Sequence, residues 1–152
     1  MFSAGQLRYF SELATPFYYY DMELLRKTLE TVKAESGRYG YHVHYAVKAN
    51  SNRPILELAE QHGLGADCVS GNEVQRAIDC GFDSSKVVFA GVGKSDAEIK
   101  LALQHDIFCF NCESIEEILV INELALEMGR TARIALRINP NVNAYTHKYI
   151  TT

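Results

Sequence analysis

The sequence predicts an α/β fold built on a parallel sheet, and three observations carry that prediction. A strand-like segment recurs five times at a spacing of about 20 to 26 residues, a regularity expected of repeated strand–helix units. Helical segments fill the intervals, and strict alternation of the two implies parallel pairing with right-handed crossovers. Each helical segment opens or closes on a capping residue, a proline or a glycine. Five units fit an open doubly wound sheet and part of a (β/α)8 barrel equally well. No GxGxxG follows the first strand, which weakens a dinucleotide-binding reading.

Residues 1–14 are weakly patterned and read as a lead-in, either a helical turn or a mobile arm. Thr15-Pro16-Phe17-Tyr18-Tyr19-Tyr20-Asp21 reads as a short extended segment, because Pro16 biases Thr15 away from helix and three tyrosines favour strand. Asp21 is an N-cap for a helix from Met22 to Ser36, with Leu24, Leu25, Thr28, Leu29 and Val32 along one side. Gly37 and Gly40 bracket the turn into a strand at 41–48. A helix at 53–62 opens on Pro54 in its first turn. The next strand, 65–69, leads to a helix at 71–80 that Gly81 ends. A strand at 86–91 precedes a helix at 95–105, with Ser95 as cap and Glu98 in the capping-box position. A strand at 107–112 precedes a helix at 114–128, where Ser114 and Glu117 repeat that box and Gly129 closes the end. The fifth strand, 132–138, runs into Asn139-Pro140 and a polar loop.

With 152 residues the chain is long enough for one domain with a real core, and no linker or second domain interrupts it. Its net charge of −4 argues against a general nucleic-acid binder. No run of about 18 apolar residues is present to span a membrane. The N-terminus lacks the basic start and apolar core of a signal peptide, so the expected compartment is the cytoplasm. Cys109 and Cys112 form a lone CxxC without the second pair that structural zinc requires. On a strand, residues an odd number apart face opposite sides. The cysteines are therefore expected to be buried free thiols in a reducing compartment.

Candidate chemistry collects at the C-terminal ends of the strands, where α/β proteins bind ligands. In the first strand, Tyr41, Val43, Tyr45 and Val47 form an apolar face, and His42, His44, Ala46 and Lys48 form the other. Lys48 thus stands at the strand end before a polar turn, where a partly desolvated amine can lose its proton and attack a carbonyl. The second strand offers Asp67, with Ser70, Gly71, Asn72 and Glu73 beyond it. The third offers Gly91, Gly93 and Lys94, and the fourth Asn111, Glu113 and Ser114. The fifth puts Arg133, Ala135, Arg137 and Asn139 on one face, and the following loop carries Asn143, His147 and Tyr149. Lys48, Asp67 and Arg137 are expected on adjoining strands near one mouth; structural ion pairs inside a barrel are the competing reading for the last two. His42 and His44 could be two metal ligands, though no third is placed with them. Gly91-Val92-Gly93-Lys94-Ser95 lacks the GxxxxGK[ST] spacing of a phosphate loop and reads as a turn capping a helix. Tyr18 to Tyr20 read as packing residues, since no basic groups interleave with them.

The hexamer Tyr45-Ala46-Val47-Lys48-Ala49-Asn50 resembles the cofactor-anchoring motif of pyridoxal-phosphate (PLP) enzymes with an alanine-racemase-like barrel. Together, TPFYYYD, YAVKANSN, GADCVSGNE, FAGVGKS, FNCES and RINPNVNAYTHKYITT are similar in order and spacing to the diaminopimelate decarboxylase family. Simple alanine racemases usually continue the lysine motif as AxxYGHG, whereas this chain reads ANSNRP. The resemblance implies the N-terminal part of a (β/α)8 barrel, truncated after about five units and without the C-terminal β-domain. It implies PLP as cofactor, a small amino-acid substrate, a homodimeric parent and decarboxylation of meso-2,6-diaminopimelate to L-lysine. Lys48 matches the Schiff-base lysine, Asp67 the aspartate beside it, and Arg137 the arginine of the RINP strand. His147 lies in the THxYI segment near the active-site mouth, with no assigned role. The family's ring-stacking histidine, Gly-rich phosphate loop, ring-nitrogen glutamate and partner-donated cysteine fall beyond residue 152. The chain alone is therefore expected to be inactive. A related barrel decarboxylase or racemase, or a non-catalytic PLP-binding protein, is the alternative.

Overall fold

The computed structural model describes residues 2–140. Two helices, α1 (Ala4–Ser11) and α2 (Met22–Arg38), precede four β–α units and a last strand. The units are β1 (His44–Ala46) with α3 (Arg53–Gln61), β2 (Gly65–Cys68) with α4 (Gly71–Asp79), β3 (Val87–Phe89) with α5 (Asp96–Gln104), and β4 (Cys109–Cys112) with α6 (Ile115–Glu127). The last strand is β5 (Ile134–Leu136). All neighbours pair in parallel, in the order β1-β2-β3-β4-β5. The alternation read from sequence is thus borne out, with each of α3 to α6 a crossover between adjacent parallel strands.

One face of the sheet holds the core. Val47, Cys68, Phe89, Phe110 and Cys112 point into it and meet Leu56, Val74, Ile99 and Ile121 from the helices. The rings of Phe89 and Phe110 lie 6.2 Å apart at its centre. Each such side chain contributes roughly 1.5–3 kcal/mol by leaving water. Register places Ala46, Asp67, Val88 and Cys109 side by side on the opposite face. All four cysteines are free and buried, and Cys112 sits in the helix-side core while Cys109 does not. That separation is what the odd spacing predicts. Among the described residues no helix is long and apolar enough to cross a membrane.

Several local expectations are corrected. The first strand does not begin at 41, because its partner starts only at Gly65, which pairs with His44. Tyr41 is consequently 68% exposed and stacks on Tyr39 instead of packing beneath helices. Residues 15–21 join no ladder; Tyr19 instead meets Phe2 and Phe10 edge-on, and Tyr18 stacks on Tyr20. The lead-in contains a full helix, opened by a reciprocal capping box between Ser3 and Gln6. On α2 only Leu29 is fully buried, with Met22, Leu25 and Val32 beside it, while Leu24 faces solvent.

Candidate active site

The strand-end site starts from how β1 stops. After Ala46 the chain tightens into a single 3₁₀ turn, Val47–Ala49, so Lys48 lies in that turn and not in the strand. Val47 is driven wholly into the core, which turns Lys48 the other way. Its side chain is exposed and makes no hydrogen bond or ion pair among the described residues. Among the described residues nothing covers this amine. The turn itself is held on both sides. The half-buried Tyr45 hydroxyl donates to the Asn50 carbonyl at 3.1 Å, and the Asn50 side-chain oxygen accepts from the Asn52 amide at 2.9 Å. Burial, reinforced by Tyr20, pushes the Tyr45 phenol above its usual range, so it stays a donor.

Asp67 stands on the next strand, level with Ala46, half-buried on the face away from the helices. His44 lies on the same face, one layer deeper. Its ring covers Gly65 so closely that a Cβ there would meet His44 Cδ2 at 2.3 Å, which is why this position is glycine. Phe108 stacks on the ring at 6.4 Å, and Nε2 is buried without a hydrogen-bond partner among the described residues. Burial holds the imidazole below its ordinary value, against an upward pull from the Asp67 carboxylate.

Arg137 follows β5. Its guanidinium reaches Glu113 at 3.3 Å, and its backbone N–H donates to the Cys112 carbonyl at 2.9 Å. Lys48 lies in the turn that follows β1 and Asp67 on the neighbouring β2, but β5 is the far edge of the sheet, separated from β2 by β3 and β4. Arg137 therefore shares the strand-end pole with them without adjoining them. Arg133 is tied to the other pole, donating to the carbonyls of Phe108 at 2.9 Å and Ile107 at 2.8 Å and pairing with Asp106. His147 lies outside the described residues. His42 is exposed, and no group of three His, Cys, Asp or Glu side chains able to hold a metal occurs among the described residues.

The loops that frame the mouth are stiffened by serines and glutamates at the helix starts. Ser70, Ser95 and Ser114 each accept the backbone N–H three residues on. The glutamates at those third positions reach back. Glu98 closes a full box on Ser95, but Glu73 and Glu117 bond one residue earlier, to the amides of Val69 and Glu113. The side chain of Lys94 is only 1% exposed and points inward. It donates to the carbonyls of Gly91 at 2.7 Å and Asn111 at 2.9 Å and pairs with Glu117, over the ring of Phe89. A Ser-x-x-Glu pattern at three consecutive helix starts was the available signal; the inward turn of Lys94 had none.

Residues 22–152 match the family model described as pyridoxal-dependent decarboxylase, pyridoxal binding domain. The chain belongs to this family. It is 55% identical over 144 residues to a diaminopimelate decarboxylase of Bacteroides thetaiotaomicron, covering 94% of this chain and 37% of the relative. It is 46% identical to that of Helicobacter pylori, covering all of this chain and 37% of the relative. The crystal structure of diaminopimelate decarboxylase from H. pylori complexed with L-lysine superposes with a TM-score of 0.87 at 41% identity, over 97% of this chain and 37% of that one. Arginine decarboxylase from Paramecium bursaria Chlorella virus, at 23% identity, a TM-score of 0.65 and coverage of 76% of this chain and 32% of that one, shares the fold. The chain thus spans about a third of the length of its relatives, and its sheet is part of their barrel domain.

Proposed function

We propose that this chain is the cofactor-anchoring part of a PLP-dependent enzyme that decarboxylates meso-2,6-diaminopimelate to L-lysine. The observation that carries the reading is Lys48, a primary amine turned out of the core at a pinned strand-end turn and free of partners among the described residues. The donor set fits the cofactor, since an uncommitted amine can bond covalently to an aldehyde while Asp67 lies on the adjoining strand. When bound, PLP supplies the electron sink that makes loss of CO₂ feasible.

The chain's own residues then have definable work. Lys48 would hold the cofactor and, as a primary amine, could also carry a proton at Nζ. Asp67 places negative charge on the adjoining strand, level with the residue where β1 ends. Arg137 supplies positive charge at the same pole, at the far edge of the described sheet. His147 belongs with this mouth on the resemblance of its segment alone. The substrate follows from the relatives named for it at 40–55% identity. A cytoplasmic location and a homodimeric parent belong to the same reading.

Borohydride reduction in the presence of PLP tests the anchor. Peptide mapping is expected to place the reduced adduct on Lys48, and Lys48→Ala to abolish it. Labelling spread over surface lysines would overturn the assignment. Turnover by the full-length parent on diaminopimelate, arginine and ornithine tests the substrate, and preference for either of the latter two would overturn it.

A further inference from the structure

We propose that Lys94 is a positioning residue that fixes the side chain of Arg137 by way of Glu117 and Glu113, an inference resting on the reading of Arg137 as a residue of the strand-end site. An ammonium group has three N–H donors, and here each finds an acceptor: the Gly91 carbonyl, the Asn111 carbonyl and one oxygen of Glu117. Burial of so complete a set is tolerable only because a carboxylate neutralises it. The second oxygen of Glu117 accepts the amide of Glu113 at 2.7 Å. That contact sets where Glu113 leaves the backbone, and the Glu113 carboxylate, mostly buried, reaches Arg137.

The contacts alternate in sign from the core to the mouth: Lys94, Glu117, the Glu113 amide, the Glu113 carboxylate, Arg137. Removing the first cation leaves Glu117 as an uncompensated, largely buried charge. Glu117 must then turn toward water, which frees the Glu113 amide and with it the anchor of Arg137. The backbone of β5 is held separately, by the Arg137 amide on the Cys112 carbonyl, so the effect falls on the side chain. Glu73 offers an internal contrast. It bonds the Val69 amide in the same way, in a more exposed setting and with no lysine paired to it among the described residues.

The test uses this chain with two readouts: hydrogen exchange at the Glu113 amide, and the rate at which phenylglyoxal modifies Arg137, read by mass spectrometry. Lys94→Met is expected to speed Glu113 exchange and to raise Arg137 modification about two- to five-fold, the range set by loss of one partly exposed pair. Lys94→Met combined with Glu117→Gln leaves an amide oxygen for the Glu113 N–H and no charge at position 117, so both readouts are expected to return toward wild type. A drop in thermal stability with an unchanged Arg137 rate would overturn the proposal, as would a double variant as reactive as the single one. Should Lys94→Met fail to fold, Glu113→Gln must give the same rise in Arg137 modification, and no rise would overturn it. PLP capture by Lys48 is measured separately, so failure of the cofactor reading is seen there and not in the Arg137 rates.

Discussion

At the residue scale, His44 shows how burial sets a measurable property. Its imidazole is held below the ordinary value of about 6.5 because the ring is buried over Gly65 and under Phe108. The folded chain therefore binds this proton less readily than the unfolded chain does. Stability from this group is complete above the unfolded value and is lost as pH falls through it toward the folded one. The melting temperature is expected to fall between pH 7.5 and 5.5, and His44→Phe, which keeps the ring and removes the titration, should flatten that slope. An unchanged slope would mean that another group governs it. Cys68 is a second case. Burial, helped by Glu73 and Asp67, pushes its thiol up to about 12, and burial raises the other three as well. A thiol reagent at pH 8 is expected to find no reactive cysteine in the native chain and all four after unfolding. Lys48 contrasts with both: its side chain is exposed, so Lys48→Ala should change stability by no more than about 0.5 kcal/mol while removing PLP capture.

At the scale of the elements, Glu98 joins two helices. One carboxylate oxygen closes the capping box on Ser95, and the other accepts the Gly71 amide at 2.7 Å, at the start of the neighbouring α4. The three hydrogen bonds, Ser95 amide first, hold the carboxyl below its usual range. Their contribution is present above the unfolded value near 4.3 and is lost as pH falls through the folded one. Glu98→Ala is expected to cost about 1–2 kcal/mol by denaturant unfolding, against almost nothing for Glu116→Ala, whose side chain is exposed. Gly71→Ala should be costly too, because its Cβ would meet Glu98 Cγ at 2.6 Å. Much at this scale was legible beforehand. Helix starts at Asp21, Ser95 and Ser114 follow from local hydrogen-bond chemistry, and ends near Gly81 and Gly129 from their positive φ. What was not legible depends on partners distant in sequence. Nothing near Tyr41 says that the ladder starts at His44, since that is set by Gly65. The inward turn of Lys94 likewise depends on Glu117, 23 residues away.

At the scale of the whole molecule, the two faces of the sheet are packed differently among the described residues. The helix side is a continuous core, whereas the opposite side is covered only in part, with Val88 and Cys109 buried and Asp67 half-buried. Along the last strand Ile134, Leu136 and Ile138 are 42%, 64% and 79% exposed. A parallel sheet is ordinarily buried on both faces, and a bare apolar strand at its edge offers unpaired N–H and C=O groups as well. Both features favour contact with another copy of the chain. Sedimentation velocity is expected to show association that grows with concentration, and Leu136→Lys to shift it toward monomer, since a charge on the edge strand opposes pairing. Because Leu136 is largely exposed, that substitution should leave the melting temperature of the dilute chain nearly unchanged. A single monomeric boundary at high concentration would overturn this expectation.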